Sequence, residues 1–539
     1  MTDLCRNSER NTLMAKIQKK IAVLLLTAAA VSLLSGCGNN DQQEEPLPDI
    51  PESSTTPAES YALDDVFTLN YDSGYSLNPF TTTSLTNIIC TQAMYDTMTA
   101  VDQSFSCHPK LILNWSSEDG IHWRFKVDTT AKFWDGTGLT AADVSYSLQR
   151  ATRSPQFKTR LKTIMGISAV DEDEFIVTLN APNMSFPLLL DIPVIKNGSV
   201  EENAPMGTGP YMPDEGLTKL TAFSDHKNAA KLPFDTIYLK EFKEIDDIIT
   251  AFENSEIDLV TNDPTGFRNL GYGTANDIRS YPTTNMHYIG FKASSRTFSN
   301  TLFRKAMTYV VDREKIVTDC LKGYGSSATL PMHPASTLYN AAYSDMISYS
   351  VKKSRQALDE AQVQDYDDDG YREIMINGIP VETDMVFIVC NDSAAKVAAA
   401  RSITANMTEL GIKITLKELS WDAYLAALTN GDYDMYYAET KLTPDFSLRE
   451  LIGTGGSLNY GKISDSAMDT YINDYMAAGE DGRKKAADLM FKYLSDTAPI
   501  VTICFEKQQV ITHRGVISGM KPTQFNIFYG LEEWETSMD

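Results

Sequence analysis

The 539-residue chain has few of the residues on which catalysis and metal binding depend. Its histidines are scattered at positions 108, 122, 226, 287, 333 and 513, and none belongs to a His-Glu-x-x-His motif or another paired metal spacing. No Gly-x-Ser-x-Gly elbow occurs, and the Ser-x-x-Lys match at Ser350 lacks the partner motifs of penicillin-binding enzymes. The glycines between Ile452 and Ser457 come without the lysine of a phosphate loop and are typical of a turn. These absences argue against an enzyme and against ATP use by this chain.

Cysteine is also scarce. Seven cysteines are present, and five of them follow Cys37 at wide spacings, namely Cys90, Cys107, Cys320, Cys390 and Cys504. An odd number without a Cys-x-x-Cys pair predicts neither a disulfide framework nor a zinc site. We expect most of them to be small buried residues, and a single pair stays open in an exported protein.

Positive charge is in deficit. The chain has 47 basic and 72 acidic side chains, which gives a formal charge of −25. Without residues 1–36, which hold five basic and two acidic side chains, the charge becomes −28. A body this acidic is repelled by nucleic acid and anionic lipid, and it favours cationic or zwitterionic partners.

No apolar run of membrane-spanning length follows Leu34, and the one before it is short. It extends from Ile21 to Leu33 behind three lysines, whereas a spanning helix needs about 18 or more apolar residues. A short apolar run behind basic residues is typical of a secretory signal, for which Met1 or Met14 is the start. The body that follows is predicted to be soluble.

The signal ends in Leu34-Ser35-Gly36-Cys37, which resembles the lipobox of bacterial lipoproteins. The resemblance implies that residues 1–36 are removed and that Cys37 is acylated and becomes the membrane anchor. Residues 37–60 carry six acidic side chains, four prolines and no basic residue. Such a segment cannot bury apolar surface, so we expect a disordered acidic tether.

The mature chain is too long for one core, and two or three lobes are expected. Phe67–Tyr71 alternates like a strand, and Asp119-Gly120 predicts the turn of a β-hairpin. Thr140, with Asp143 three residues later, has the pattern of a capping box at a helix start. The stretch from Arg304 to Lys322 has the apolar spacing of one amphipathic helix.

The block from Trp115 to Arg150 resembles the N-terminal signature of family 5 extracellular solute-binding proteins, the oligopeptide, dipeptide and nickel receptors of ABC importers. Further matches follow in the family's order over essentially the whole mature chain. They are Met206–Tyr211, Ala251–Leu259, Tyr288–Phe291, Phe303–Ala306 with Val311–Arg313, Leu410–Ile412, Trp421–Tyr424, Gly431–Met435 and Pro499-Ile500.

The resemblance implies an α/β fold of the periplasmic-binding-protein-like type II class, in which two lobes joined by a hinge close on a ligand. Lobe I would comprise residues 61–97, 204–291 and 506–539, with an inserted subdomain at 98–203. Lobe II would comprise residues 292–505. The hinge would lie where the chain crosses between lobes, near Phe291 and near Cys504.

The family also implies ligand-binding residues, carried over one position at a time. Thr82, Thr83 and Ser84 match a polar shelf of lobe I, and Trp421 matches a tryptophan of the pocket wall. Within Tyr436–Thr440, Tyr437 takes the place of a tryptophan of the peptide-binding relatives. For Trp421 and Tyr437, simple core packing is the alternative.

Two charged groups of the dipeptide-binding relatives are missing. Thr440 stands where those relatives carry an aspartate that binds the peptide amino terminus. The neighbouring Glu439 could supply that charge, but strand alternation turns it to the opposite face unless a bulge intervenes. The segment Cys390–Ser393 replaces an arginine that holds the ligand carboxylate. A longer peptide, held mainly through its backbone, therefore fits better than a dipeptide.

One segment has the spacing of a calcium loop. Asp365, Asp367 and Asp369 occupy positions 1, 3 and 5, followed by Gly370 at position 6 and an acidic residue at position 9. Position 12, which requires a bidentate glutamate, is an isoleucine. A solvated acidic turn is favoured over a weak calcium site, and both remain open.

Together these patterns predict a lipid-anchored, non-enzymatic receptor on the extracytoplasmic face that captures peptides and delivers them to an ABC permease with its ATPase. A monomer without cofactor or nucleic-acid partner is expected. The alternatives are a receptor of the same fold for nickel or another non-peptide solute, a secreted hydrolase, and an adhesin or signalling receptor that has lost transport.

Overall fold

The computed structural model describes residues 66–265 and 276–537. The predicted signal peptide, Cys37 and the tether lie outside the described residues. The strands are β1 (Phe67–Tyr71), β2 (Thr99–Val101), β3 (Cys107–Pro109), β4 (Ile112–Ser116), β5 (His122–Val127), β6 (Ile164–Ala169), β7 (Glu174–Leu179), β8 (Tyr211–Pro213), β9 (Lys219–Ala222), β10 (Thr236–Glu241), β11 (Leu259–Asn262), β12 (Asp277–Phe291), β13 (Gly325–Ser327), β14 (Val363–Gln364), β15 (Glu373–Ile376), β16 (Ile379–Glu382), β17 (Met385–Cys390), β18 (Ile414–Leu419), β19 (Met435–Lys441), β20 (Ile500–Thr512), β21 (Ile517–Ser518) and β22 (Glu535–Thr536).

The helices are distributed between these strands. They are α1 (Leu85–Met94), α2 (Ala141–Ala151), α3 (Ile245–Glu253), α4 (Thr301–Val310), α5 (Arg313–Lys315), α6 (Ala341–Met346), α7 (Val351–Glu360), α8 (Ala394–Glu409), α9 (Trp421–Asn430), α10 (Arg449–Ile452), α11 (Ser466–Ala477) and α12 (Glu480–Thr497). Short 3-10 turns occur at Phe186–Leu189, Ala229–Lys231 and Leu531–Glu533, and a π turn at Ile316–Cys320. Within the described ranges, no helix is both long and apolar enough to cross a membrane.

An eleven-stranded mixed sheet forms the centre of the fold. Its strand order is β18-β17-β19-β12-β20-β11-β1-β10-β9-β8, and β13 pairs with β20 beside this path. A separate antiparallel sheet has the order β4-β5-β7-β6, and a small one has the order β14-β15-β16. Strands and helices mixed in this way confirm the predicted α/β class.

Several local predictions are confirmed. The strand over Phe67–Tyr71 is β1, and the hairpin of β4 and β5 turns at Gly120, whose φ of +69° is the left-handed conformation that glycine adopts at low cost. Thr140 and Asp143 form the capping box at the start of α2. These features depend on neighbouring residues, and short-range sequence patterns report them well.

The predicted single helix from Arg304 to Lys322 is wrong. Helix α4 ends at Val310, and a new helical segment starts behind Asp312, whose side chain accepts a hydrogen bond from Lys315 N at 3.1 Å. The new segment begins with the buried Arg313, whose Nε donates to Thr502 O of β20 at 2.7 Å. A tertiary contact therefore breaks a stretch that has helical spacing.

Two large hydrophobic cores lie along the sheet. The first core is built mainly from residues 67–239 and 510–534, and the second mainly from residues 286–505. The strands β12 and β20 contribute to both. On β12 the change of core falls between Tyr281 and Met286, and on β20 it falls between Phe505 and Val510. These two paired strands are thus the link between the cores.

The pairing of β12 with β20 is irregular at this link. The register shifts between Pro282 and Met286, and again between His287 and Tyr288. Such irregularities bend a strand and redirect its side chains. Polar groups on β12 and β20 are therefore brought to a place where the two cores meet.

Candidate functional site

Three adjacent strands carry the candidate site. His287 on β12 lies directly opposite Glu439 on β19 and opposite Cys504 on β20. Since alternate residues of a strand share a face, Glu506 projects on the same side as Cys504. The side chains of His287, Glu439 and Glu506 consequently meet, each offering an atom within 4.8 Å of the others.

The imidazole of His287 is held from two sides. It is buried, with 1% exposure, and its Nδ1 lies 2.7 Å from Tyr437 Oη. Its Nε2 lies 2.8 Å from Glu506 Oε1. Because both ring nitrogens are engaged, the orientation of the ring is determined.

Glu506 is the buried anion of the site. Thr265 Oγ1 donates to its Oε1 at 2.9 Å, and Asn285 Nδ2 donates to its Oε2 at 3.3 Å. Burial opposes ionisation, but the hydrogen bond and charge of His287, with the donors Thr265 and Asn285, outweigh it and lower the pKa of Glu506. This carboxylate therefore stays charged at neutral pH.

Glu439 has the opposite electrostatic character. Burial and the negative charge of Glu506 raise its pKa, against the influence of His287 and of Lys396, whose Nζ lies 3.4 Å from Glu439 Oε2. Lys396 also pairs with Asp392 at 3.0 Å. The Glu439 side chain is 30% exposed, compared with 1% for His287 and 5% for Glu506. Of the three clustered groups, Glu439 is the one that a solute can reach.

A contact beside this network joins the segment after β11 to the start of α8. Ser393 caps α8, accepting a hydrogen bond from Lys396 N at 3.4 Å, and its Oγ donates to Thr265 O at 3.3 Å. Thr265 in turn binds Glu506. Residues 265 and 393 flank the link between the cores, so the network spans both sides of it.

The sequence-predicted tyrosines of β19 face opposite ways. Tyr437 is fully buried and supports His287. Tyr436, also buried, packs edge-on to Tyr288 and Tyr433, and a Cβ at Gly290 would lie 2.1 Å from its ring. Tyr436 is therefore a core residue.

No bulge interrupts β19 where the sequence allowed one. Its pairing with β12 is regular from Met435 to Lys441. Glu439 accordingly does not take the position of Thr440 but lies on the other face, with Tyr437 and His287. Thr440 is half-buried on the face of Tyr436.

The remaining predicted ligand residues lie apart from this network. Trp421 begins α9, is 55% exposed and stacks on Tyr424. On the loop before α1, Thr82 is buried, Thr83 is exposed, and Ser84 caps α1 by accepting from Asn87 N at 3.3 Å. In the part of the chain that the structure describes, no hydrogen bond joins these residues to His287. Their role as ligand-binding residues stays a prediction.

The acidic segment forms a loop between β14 and β15. Asp365, Asp367 and Asp369 are exposed there and lie close to the buried Glu373. This cluster is separate from the network on β12, β19 and β20. The five described cysteines are free.

Sequence reasoning missed His287, Glu506 and Lys396. A signal was present in the sequence. His287 lies in the mainly apolar stretch Met286–Phe291, and Glu506 directly follows the mainly apolar stretch Val501–Phe505. Lone titratable groups in buried strands need a partner. Which strands pair, and in which register, was the missing information.

A cavity of about 240 Å³ lies elsewhere, lined among others by Asp96, Lys110, His226 and Tyr529. It is smaller than typical ligand pockets of about 300–1,000 Å³. Asp96 in this cavity is already engaged, because it lies 2.9 Å from Lys110 and 3.0 Å from His226. The network on the linking strands is therefore the better candidate site.

Two cores joined by two paired strands, with a polar site at that link, have the two-lobed architecture of the periplasmic-binding-protein-like type II class. The profile of the bacterial extracellular solute-binding proteins, family 5, matches residues 106–448. The chain belongs to this family. Members are extracytoplasmic solute-binding proteins.

Individual relatives are distant. The chain is 22% identical to heme-binding protein A of Haemophilus influenzae over 430 residues, 72% of this chain and 76% of that protein. It is similar to the crystal structure of a nickel ABC transporter protein from Bacillus halodurans, with a TM-score of 0.69 and 20% identity over 86% of this chain and 98% of that one. It is also similar to the oligopeptide-binding protein AppA of Bacillus subtilis in complex with a nonapeptide, with a TM-score of 0.58 and 18% identity over 87% and 98%. At these identities the structural likeness concerns the fold.

Proposed function

We propose that this protein is the substrate-binding component of an ABC importer and that it captures peptides, preferentially oligopeptides, between its two lobes. It delivers them to a permease whose ATPase subunits supply the energy. The observation that carries the proposal is a network at the link between the cores, in which His287 and Glu506 on the linking strands meet Glu439 of β19 and Lys396 of α8. A solute held there contacts both lobes, and binding can be coupled to their closure.

The chemistry of the network suits a peptide amino terminus. Glu439 is part-exposed, and burial beside Glu506 raises its pKa. An ammonium group of a ligand would relieve this repulsion and form a charge-assisted hydrogen bond. Lys396 and Asp392 close the other side of Glu439.

The segment that carries an arginine for the ligand carboxylate in the dipeptide-binding relatives offers no cation here, which favours a longer peptide over a dipeptide. The segment Cys390–Ser393 ends β17 without an arginine, and Ser393 is used to cap α8. The next cation, Lys396, is already paired with Asp392 and Glu439. A charge left unpaired in such a site costs several kcal/mol, so only the amino-terminal charge is expected to be read.

The predicted lobes and anchor complete the proposal. Lobe I comprises residues 61–97, 204–291 and 506–539 with the insertion 98–203, and lobe II comprises residues 292–505. The two hydrophobic cores support this division, and they favour a crossing on β12 near Pro282–Met286, earlier than Phe291. An acylated Cys37 followed by the acidic tether 37–60 would hold the body at the extracytoplasmic face of the membrane.

One observation favours the alternative, a receptor for nickel or another non-peptide solute. A histidine and two carboxylates within 4.8 Å of one another form a donor set for a divalent cation. Against this, both nitrogens of His287 are engaged, by Tyr437 and by Glu506. Metal binding there would require the loss of one of these contacts.

Calorimetry with peptides tests the role of Glu439. We expect Glu439→Gln to weaken the binding of a free-amino oligopeptide about tenfold or more, since a charge-assisted hydrogen bond contributes about 1.5–3 kcal/mol. The N-acetylated peptide should show the same loss with the wild-type protein and little further loss with the variant. Glu418→Gln is the matched control. Glu418 lies on the edge strand β18, away from the network, and pairs with the exposed Arg401 of α8.

Equal binding of free and acetylated peptides by the wild-type protein would contradict this role of Glu439. Recognition would then not involve the amino terminus. Tight binding of nickel without any peptide binding would favour the alternative cargo.

A further inference from the structure

The loop between β14 and β15 gathers four carboxylates. Asp365, Asp367 and Asp369 come from the loop, and Glu373 is the first residue of β15. Each offers an oxygen, and these oxygens all lie within 4.8 Å of one another. Four negative charges at this spacing repel one another strongly unless a cation lies between them.

Glu373 provides an independent observation. It is 4% exposed, and its Oε2 accepts a hydrogen bond from Tyr366 N at 2.8 Å. Its Oε1 is buried and has no hydrogen-bond partner. A buried carboxylate oxygen without a partner is costly, and Glu373 belongs to the acidic cluster.

The described part of the protein supplies no cation to the cluster, because none of the four carboxylates makes an ion pair there. The adjacent Arg372 is turned away. Its Nη1 donates to Asp359 Oδ1 at 2.8 Å and to Val363 O at 2.6 Å, and its Nε donates to Leu410 O at 2.8 Å. The charge of the cluster is therefore left for a ligand to balance.

We propose that Asp365, Asp367, Asp369 and Glu373 form a calcium site that stabilises lobe II. Calcium takes six to eight oxygens at about 2.3–2.6 Å, so oxygens on opposite sides of the ion lie about 5 Å apart. The oxygens of the cluster all lie within 4.8 Å of one another and so fit within this separation. Magnesium, with ligands at about 2.0–2.1 Å in strict octahedral geometry, requires a tighter cluster.

The loop lacks a glutamate at position 12, but the structure places another glutamate at the cluster. Position 12 of the loop is Ile376, which pairs with Ile379 in the β15–β16 hairpin. Glu373, at position 9, is instead the glutamate that completes the cluster. The ligands thus come from a loop between strands rather than from a loop between two helices.

Calcium at this place would act on the packing of lobe II. The loop is tied to the end of α8, since Arg372 N donates to Gly411 O at 2.7 Å. Through Arg372 it is also tied to Asp359 on α7. A bound cation would hold the β14–β16 sheet against both helices. The site is independent of the cargo, because the cluster shares no residue with the network around His287.

Thermal unfolding of the mature protein, first stripped with a chelator, tests the site. We expect about 5 mM calcium to raise the melting midpoint by about 3 °C or more, and magnesium to raise it much less. Asp367→Asn should abolish most of this rise. Asp368→Asn is the matched control. This substitution removes the same charge from the same loop, but Asp368 lies outside the cluster. Its φ of +59° is one that asparagine tolerates well.

Glu373→Gln separates a ligand from a structural residue. Without calcium, the melting midpoint of the variant should equal or exceed that of the wild type, since the cluster loses one repelling charge. With calcium, the midpoint of the variant should be lower than that of the wild type. A midpoint lowered equally in both conditions would overturn the proposal. The proposal would also be overturned if calcium did not raise the melting midpoint of the wild type, or if it raised that of Asp367→Asn by the same amount.

Discussion

Glu506 shows how a single buried residue organises the site. Its carboxylate accepts hydrogen bonds from His287, Thr265 and Asn285. Burial alone would keep it neutral, but His287 and the other donors lower its pKa below the ordinary 4.5. The interactions that stabilise the ionised form also stabilise the fold.

We therefore expect Glu506→Gln to lower the free energy of unfolding by about 1.5–3 kcal/mol at neutral pH. A carboxylate whose folded-state pKa is lowered stabilises the protein above its unfolded pKa, and this contribution is lost as the pH falls. The difference between wild type and variant should then narrow as the pH falls below the ordinary value of 4.5. Urea unfolding at about pH 7 and about pH 3.5 measures it.

Glu418→Gln again serves as the control, because an exposed ion pair contributes little at either pH. A difference for Glu506→Gln that stays constant with pH would show that packing, and not charge, accounts for the effect.

The same residues show where prediction from sequence ended. Tyr437 and Glu439 were identified because they fall within a motif of the family. For His287 and Glu506 the sequence shows only polar residues beside apolar ones, and their proximity depends on the bulged pairing of β12 with β20. That pairing joins residues more than two hundred positions apart.

At the scale of elements, patterns that depend on near neighbours were sound. The strand β1, the hairpin of β4 and β5, and the capping box of α2 follow from alternation, an Asp-Gly turn and a Thr-x-x-Asp spacing. The helix from Arg304 was predicted too long, because burial of Arg313 against β20 competes with helix continuation. Local propensity is a weak guide where a tertiary contact is at stake.

One short element connects parts that are distant in sequence. In the β2–β3 turn, Phe105 is 6% exposed and belongs to the second core. Its ring centroid lies 5.1 Å from those of Phe446 and His333. Residue 105 is in the predicted insertion, whereas residues 333 and 446 are in predicted lobe II. The turn therefore packs the predicted insertion against the core of predicted lobe II.

Phe105→Ala should remove this packing contact. A buried Phe→Ala change costs about 3–5 kcal/mol, and here the loss falls on a contact between lobes. We expect a lower melting midpoint together with a larger radius of gyration of the ligand-free protein in small-angle X-ray scattering.

Phe175→Ala provides the comparison. Phe175 is fully buried within the first core, where it stacks on Phe125 at 4.9 Å. This variant should lose stability without a change in the radius of gyration. An unchanged radius for Phe105→Ala would mean that the turn does not influence the lobes.

At the scale of the whole molecule, one sheet runs through both cores. The ordered series of motifs from Trp115 to Pro499 was sufficient to predict this fold, because together they resemble one family over almost the whole mature chain. The cargo was not determined in the same way. It depends on a few side chains at the site, and similar solved structures include both an oligopeptide-binding protein in complex with a nonapeptide and a nickel ABC transporter protein.

Native mass spectrometry of gently purified mature protein tests the central claim most directly. If the protein is a receptor for oligopeptides, co-purified ligands should appear as a series of bound masses that vary in peptide length and composition. Gas-phase release and sequencing should then identify peptides. A single homogeneous small adduct, such as one metal chelate, would contradict the account.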